Sequence, residues 1–459
     1  MPSPPASDRS QSPSKRIKLS RRSRDSSRDD DDDPFLAGAA DARPDHDSDQ
    51  TPRRNTTADI ISNAPQLTPR PPQSVASSAS GASAASRTTT STTTSRARST
   101  SPTKKTQRLV ALKKPIHHIQ IDDNKTDQLP EDIRDLYNRL YSITGYHEGI
   151  APWEVRHEIN ASVAHKFRET WFRNRRAKTT RALGDASAAD EHHRAFALGE
   201  LVALRKIQRK AKSCRELGRS EAAWNMEVHG PLLELALEGH AHVQRELVTT
   251  AQITKPFVPP MGDLSLAEFA DKKMVDFVMV LVPKPDDEGE GVVGGQGNGA
   301  HGERFRHLAH ALHNTVLSQP LDQQSINQTL YPPLMERPIG ISIETKADGA
   351  NEVGRVQLAI WTAAWHERMM ALMAAAGKLY ANTRIITMPL LLIVEHSWVL
   401  SFLCDRGDRL EVVGDVTLGE TADLKGLYTI VAALRELADW MQGPFAEWIA
   451  SVLDGGVGG

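Results

Sequence analysis

The chain predicts an α/β (α+β) domain, with a central mixed sheet flanked by helices and a disordered N-terminal region before it. Three observations carry this expectation. Residues 1–106 are dominated by Ser, Thr, Pro, Arg and Asp and hold almost no aromatic side chains. Residues 125–219 place apolar side chains at helical spacing. From 247 onward, β-rich runs alternate with single long helices, the order expected of strands covered by helices.

Composition narrows the class. With 459 residues there is room for a disordered region and one large domain. A formal charge of -2, from 56 basic and 58 acidic residues, gives no polyelectrolyte character overall. Cys214 and Cys404, the two cysteines, exclude a disulfide framework and a Cys-rich zinc module and suit a reducing compartment. The apolar run "MPLLLIVEHSWVLSFLC" is broken by Glu395 and His396 before it could span a bilayer, and "MPSPPASDRSQSPSK" lacks the apolar core of a secretory signal. The expectation is an intracellular protein with no membrane partner; its oligomeric state is not legible.

In chain order, the N-terminal region comes first. The stretch "SSASGASAASRTTTSTTTSRARSTSPTKK" cannot bury enough apolar surface to offset the entropy of ordering, so residues 1–106 read as disordered. Within them, "KRIKLSRRSR" at 15–24 reads equally as a nuclear-import address and as a solvated charge run. "PEDIRDLYNRLYSITGY" spaces Ile133, Leu136, Tyr137 and Leu140 along a helix that Pro130 opens. Helical text continues to 217 through Phe196, Leu201, Leu204, Ile207 and Ala211, and Gly218 stops it. Ser220 is placed to cap the next helix, "EAAWNMEVHGPLLELALEGH", which Pro231 interrupts.

The period then changes. "LVTTAQITKPFV" and "KKMVDFVMVLVP" read as strands, the second apolar on both faces apart from Asp276. A glycine and acid loop, "KPDDEGEGVVGGQGNGAHGER", a helix-like "FRHLAHALHNTVL" and an irregular "DQQSINQTLYPPLMERP" lead to the strand "RPIGISIETKADG" at 337–349. Residues 353–377 form a helix with Val353, Val356, Ile360, Trp361 and Ala364 along one stripe. Strands resume at "RIITMPLLLIVE", "WVLSFLCD" and "RLEVVGDVTL", and helices close the chain.

Two strands hold residues that could do chemistry. A carboxylate at Asp276 inside an apolar strand is costly unless it reaches solvent, caps a turn, or meets a cation or metal. In the strand at 337–349, alternation sends Ser342, Glu344 and Lys346 to one face and Ile341, Ile343 and Thr345 to the other. Acid-x-Lys triplets also occur at Asp123/Lys125, Asp271/Lys273 and Asp423/Lys425. The Glu344 copy alone has an apolar strand before it and a long helix after it.

The ordered set "SEAAWNMEVHGPLL", "VDFVMVL", "SINQT", "RPIGISIETK" and "VQLAIWTAAW", from Ser220 to Trp365, resembles the PD-(D/E)XK nuclease superfamily, and more closely a nuclease-like domain of many fungal proteins. The resemblance implies a restriction-endonuclease-like core of helix, three strands, helix and strand. It places the domain at 125–453, with a helical part at 125–219, a catalytic-core-like part at 220–415 and C-terminal helices at 421–453. It implies Mg²⁺, or Mn²⁺ in its place, held by Asp276 and Glu344, with Glu221 as an extra acid. Lys346 would activate water and stabilise phosphate charge, and Gln357 would place the lysine or the nucleic acid. Hard carboxylate oxygens suit Mg²⁺, which polarises phosphoryl oxygens and acidifies bound water. Val275 stands where the family has proline, and the Asp276 and Glu344 strands must pair around an insertion. Glu221 is also what a helix dipole favours in a first turn. The resemblance admits two functions: a Mg²⁺-dependent nuclease on DNA, or a catalytically inactive nuclease-fold module binding nucleic acid or protein in the nucleus.

Between Lys166 and Arg219 there are 15 Lys/Arg against 6 Asp/Glu. Clustered on one face, Arg173, Arg175, Arg176, Lys206 and Lys210 would contact DNA phosphates; dispersed, they are ordinary helix surface. His307, His310 and His313 step around a helix without a cysteine or acid to complete a zinc site, which leaves a solvated face. Neither a P-loop, a dinucleotide fingerprint nor a nucleophile elbow is present.

Overall fold

The computed structural model describes residues 107–122, 128–173, 186–260, 274–284, 298–347 and 349–453. The tail at 1–106, its basic cluster and most of the glycine and acid loop lie outside the described residues. Among the described residues the strands are β1 (Ile116–Gln120), β2 (Val243–Leu247), β3 (Phe277–Leu281), β4 (Ile339–Lys346), β5 (Met388–Val394), β6 (Ser397–Asp405) and β7 (Leu410–Glu420). They form one mixed sheet in the order β1-β7-β6-β5-β4-β3-β2, parallel at β1/β7 and β4/β5 and antiparallel elsewhere. The mixed sheet with covering helices is the expected fold class.

The helices are α1 (Glu131–Gly145), α2 (Arg156–Ala161), α3 (Ala186–Glu216), α4 (Glu221–Trp224), α5 (Gly230–Leu237), α6 (Asn298–Leu317), α7 (Asn351–Ala375), α8 (Leu424–Trp440) and α9 (Ala446–Leu453). In α1 the buried stripe is Ile133, Leu136, Leu140 and Ile143, with Tyr137 packed at its margin. In α7, Val356, Ile360, Trp361, Ala364 and Trp365 are buried, which makes both tryptophans core residues. No helix among the described residues is long and apolar enough to cross a membrane.

Sequence expectation and structure differ in three places. The strand expected in "LVTTAQITKPFV" lies earlier: β2 ends at Leu247, and the chain beyond it is irregular, with a short 3-10 turn at Lys255–Phe257. Pro256 within that text, with Pro259 and Pro260 directly after it, cannot donate to a ladder, so its C-terminal end does not continue as a strand. The interruption marked by Pro231 is milder than a break. A π-turn (Asn225–His229) joins α4 to α5, and the Gly230 N–H donates to the Asn225 carbonyl. A Cβ at position 230 would stand 2.8 Å from that carbonyl oxygen, so glycine permits the wide turn. Finally, β1 was not expected. It adds to β7 in parallel, and Lys114 just before it donates to Asp405 at 2.6 Å.

The loop "SINQT" sets the entry to β4. Asn327 Nδ2 donates to the carbonyls of Leu334 (2.6 Å) and Arg337 (2.9 Å), and its Oδ1 accepts from the Ile339 N–H (3.0 Å). Asn327→Ala would leave three backbone groups, two of them in buried bonds, without these partners. We expect a loss of about 2–4 kcal/mol in urea unfolding, well above a surface substitution.

Candidate active site at the end of β4

The site grows from strand register. Phe277 pairs with Ile343 and Val278 with Ser342 in the antiparallel β3/β4 ladder, so Asp276, one residue before β3, stands opposite Glu344. The Asp276 N–H donates to the Ile343 carbonyl at 3.1 Å, which extends the pairing to that residue. Two residues beyond Glu344, Lys346 closes β4. The long insertion therefore does not prevent the two strands from lying side by side.

Lys346 Nζ donates to Glu344 Oε1 at 2.5 Å, to the Thr345 carbonyl at 2.7 Å and to Glu221 Oε2 at 3.3 Å. Glu221 opens α4 directly after Ser220, which occupies the N-cap position without a side-chain cap bond. The ammonium thus bridges β4 to α4. Gln357 on α7 donates from Nε2 to the Met274 carbonyl at 3.0 Å, holding the backbone that leads to Asp276 rather than touching Lys346 in this structure. Gly354 lets α7 come close: a Cβ there would meet Leu392 Cδ1 at 2.5 Å and Glu344 Cγ at 3.4 Å.

Charge is unbalanced here. Three carboxylates, Glu221, Asp276 and Glu344, surround one ammonium. Glu344 is only 1% exposed, and burial followed by the negative charge of Asp276 pushes its pKa up to about 8, with Lys346 opposing the shift. Burial also works against the Lys346 charge, but Glu344, Glu221 and Asp276 outweigh it and leave its pKa raised. The cluster therefore keeps its extra proton on the most buried acid, and Lys346 stays a cation.

A residue missed by sequence reasoning completes the arrangement. Thr345 donates to Asp276 Oδ2 from both its backbone N–H (3.0 Å) and its hydroxyl (2.7 Å). Only the β3/β4 register, invisible in one sequence, could have drawn attention to it. Thr345→Val keeps the β-branched shape and one of the two bonds. Loss of the hydroxyl is expected to weaken divalent-ion binding by roughly tenfold, the scale of contacts that orient a ligand, in a titration of the purified protein.

Asp276, Glu344 and Glu221, the expected metal ligands, are engaged by neighbouring groups in this structure. Among the described residues no group of three or more His, Cys, Asp and Glu side chains is arranged to hold a metal ion. Lys346 bonds both Glu344 and Glu221, and Thr345 engages an oxygen of Asp276. A divalent ion still fits a two-carboxylate site. Glu344 Oε2 is buried with no hydrogen-bond partner, and the surplus of acids over lysine is the charge such an ion would neutralise.

Glu221, Asn225 and His229 recur every fourth residue, a spacing that suggests one polar stripe, but His229 belongs to the core. His229 is fully buried, stacks on Trp224 and packs edge-on to Trp398. Its Nε2 lies 3.0 Å from the Glu395 carbonyl, which can only accept, so Nε2 carries the proton. In the neutral ring Nδ1 must then accept; Asn225 Oδ1 stands 3.0 Å from it, so the pair bonds only with the Asn225 amide turned over to present its NH₂. Burial, then His396, lowers the His229 pKa to about 3. Between its ordinary 6.5 and this value the unfolded chain binds a proton that the fold refuses, so the His229 contribution is lost as pH falls. The stability difference between the metal-free native chain and His229→Gln is expected to shrink by several kcal/mol from pH 6.5 toward 3, read by urea unfolding.

The expected DNA contacts divide. Arg173 lies 3.5 Å from buried Glu200, and Lys210 lies 2.9 Å from Glu227, which also pairs with Arg219. Both charges are engaged within the protein. Lys206 is exposed on α3, and Arg175 and Arg176 lie outside the described residues. The basic end of α3 nevertheless approaches the site: Arg215 pairs with Glu395, whose N–H donates to the Lys346 carbonyl at 2.9 Å. His307 and His310 are exposed and His313 pairs with Glu336, as a solvated face requires.

A family model described as the PD-(D/E)XK nuclease superfamily matches residues 164–446, more than half of the chain. Comparison with curated proteins and with solved structures gave no match.

Proposed function

The chain belongs to the PD-(D/E)XK nuclease superfamily, and from that premise we propose that it is a nuclease hydrolysing phosphodiester bonds of DNA with Mg²⁺, or Mn²⁺ in its place. The observation that carries the reading is the β3/β4 register, which sets Asp276 opposite Glu344 with Lys346 two residues on. Asp276 and Glu344 would hold the ion. When bound it supplies Lewis-acid polarisation of the phosphoryl oxygen and a water of lowered pKa.

The chain's own groups do the rest. Lys346, kept cationic by the acids around it, is a charge donor rather than a base: it orients the attacking water and offsets negative charge growing on the phosphate. Thr345 fixes the Asp276 carboxylate, and Gln357 steadies the backbone before it. Glu221 balances the ammonium at the rim. Exposed Lys206 on α3 supplies sequence-independent attraction for the DNA backbone. The basic cluster at 15–24 supports a nuclear setting.

One observation favours a second reading, a catalytically inactive nuclease-fold module that binds nucleic acid or protein. The direct Lys346–Glu344 contact engages one of the carboxylate oxygens a metal would need. Purified protein incubated with plasmid and single-stranded DNA, with Mg²⁺, Mn²⁺ or EDTA, separates the two. Metal-dependent cutting that Lys346→Ala abolishes supports the nuclease. Salt-sensitive binding without cutting supports the module.

A further inference from the structure

The segment leaving β2 and the loop leading toward β4 enclose an open cleft of about 490 Å³, within the usual range for small-ligand sites. Its walls include Thr250, Gln252, Thr254, Lys255, Thr329 and Tyr331. Three hydroxyls, an amide, an ammonium and a phenol ring line it, and among the described residues no carboxylate does.

The cleft is tied to the candidate active site. The Val248 N–H donates to the Asp276 carbonyl at 2.8 Å, and the Ala251 N–H turns back to the Val248 carbonyl at 2.9 Å. Thr250 therefore lies within roughly 7 Å of Val248, the reach of two residues. The far wall is fastened as well: Thr254 N and Oγ1 both donate to the Gln328 carbonyl, and Gln328 Nε2 donates to the Trp361 carbonyl on α7. Gln357 on the same helix holds Met274, two residues before Asp276.

From this placement we infer that the cleft receives an unpaired DNA nucleotide next to the scissile phosphodiester. The inference rests on the nuclease reading and names its substrate class. Exposed Lys255 meets a flanking phosphate, the Gln252 amide can both donate to and accept from a base edge, and the Tyr331 ring offers a stacking face. A base paired and stacked in a duplex cannot enter; it must be single-stranded, frayed or flipped out.

The test is fluorescence anisotropy of the full chain in EDTA at fixed salt, with a labelled single-stranded DNA oligonucleotide and the blunt duplex of the same sequence. The native protein is expected to prefer the single strand. Tyr331→Leu is expected to weaken single-strand binding roughly tenfold, with little change for the duplex, and Tyr331→Phe to retain it. Thermal melts identify any variant that fails to fold, and Lys255→Gln, on the exposed wall, gives an independent loss for the single strand. Equal affinity for both DNAs, or no selective loss in either variant, overturns the cleft assignment and leaves the nuclease reading intact. Failure of the native protein to bind either DNA overturns both.

Discussion

Glu344→Gln is expected to abolish metal-dependent DNA cleavage and, in the same protein without metal, to raise stability at pH 8. The two effects share one cause. In the fold Glu344 holds its proton to about pH 8, whereas an unfolded chain releases it near 4.5. Across that window the folded state binds more protons than the unfolded one, so its stability falls as pH rises. Glutamine resembles the protonated acid and has nothing to lose. The variant and the native chain should therefore match near pH 4.5 and diverge by several kcal/mol toward pH 8 in EDTA, read by urea unfolding. The same substitution removes the anionic oxygen that a divalent ion requires. A merely structural acid would give the opposite pairing, with lost stability and unchanged metal behaviour.

Lys346→Ala is expected to lower cleavage by about 10²–10³ or more while leaving DNA affinity within a few-fold. Its ammonium lies among Glu344, Glu221 and the Thr345 carbonyl, so its donors are aimed before substrate arrives. Lys346→Arg should not restore activity. A planar guanidinium is larger and cannot present a compact point charge between two carboxylates and a carbonyl. Single-turnover cleavage beside anisotropy binding in Ca²⁺ separates the two effects. Equal losses in binding and cleavage would make Lys346 a phosphate contact and nothing more.

How much of this was legible in the sequence depended on whether the signal was local. In β4 and α7 the signal sits in consecutive residues, and strand and helix both appear where expected. β4 is nevertheless buried on both faces through Thr345, and Val353 of the expected stripe is only half-buried. β1 was missed because His117 and His118 interrupt its apolar character, leaving Ile116 as its one fully buried side chain. Pro231 marked a disturbance, but the π-turn that absorbs it depends on Gly230 approaching Asn225, a contact no propensity encodes. Asp276, Glu344 and Lys346 could be picked out by residue type and strand context. Thr345, the burial of His229 and the pairing of Lys210 with Glu227 could not, because each is decided by elements packed across the fold.

Mn²⁺ titration of the metal-free protein, followed by electron paramagnetic resonance, tests most directly whether Asp276 and Glu344 form a metal-holding pair. Saturable uptake is expected, weakened at least about tenfold in Asp276→Asn and in Glu344→Gln, with a smaller change in Glu221→Gln. Mn²⁺ affinity unaltered by both of the first two substitutions would contradict the assignment.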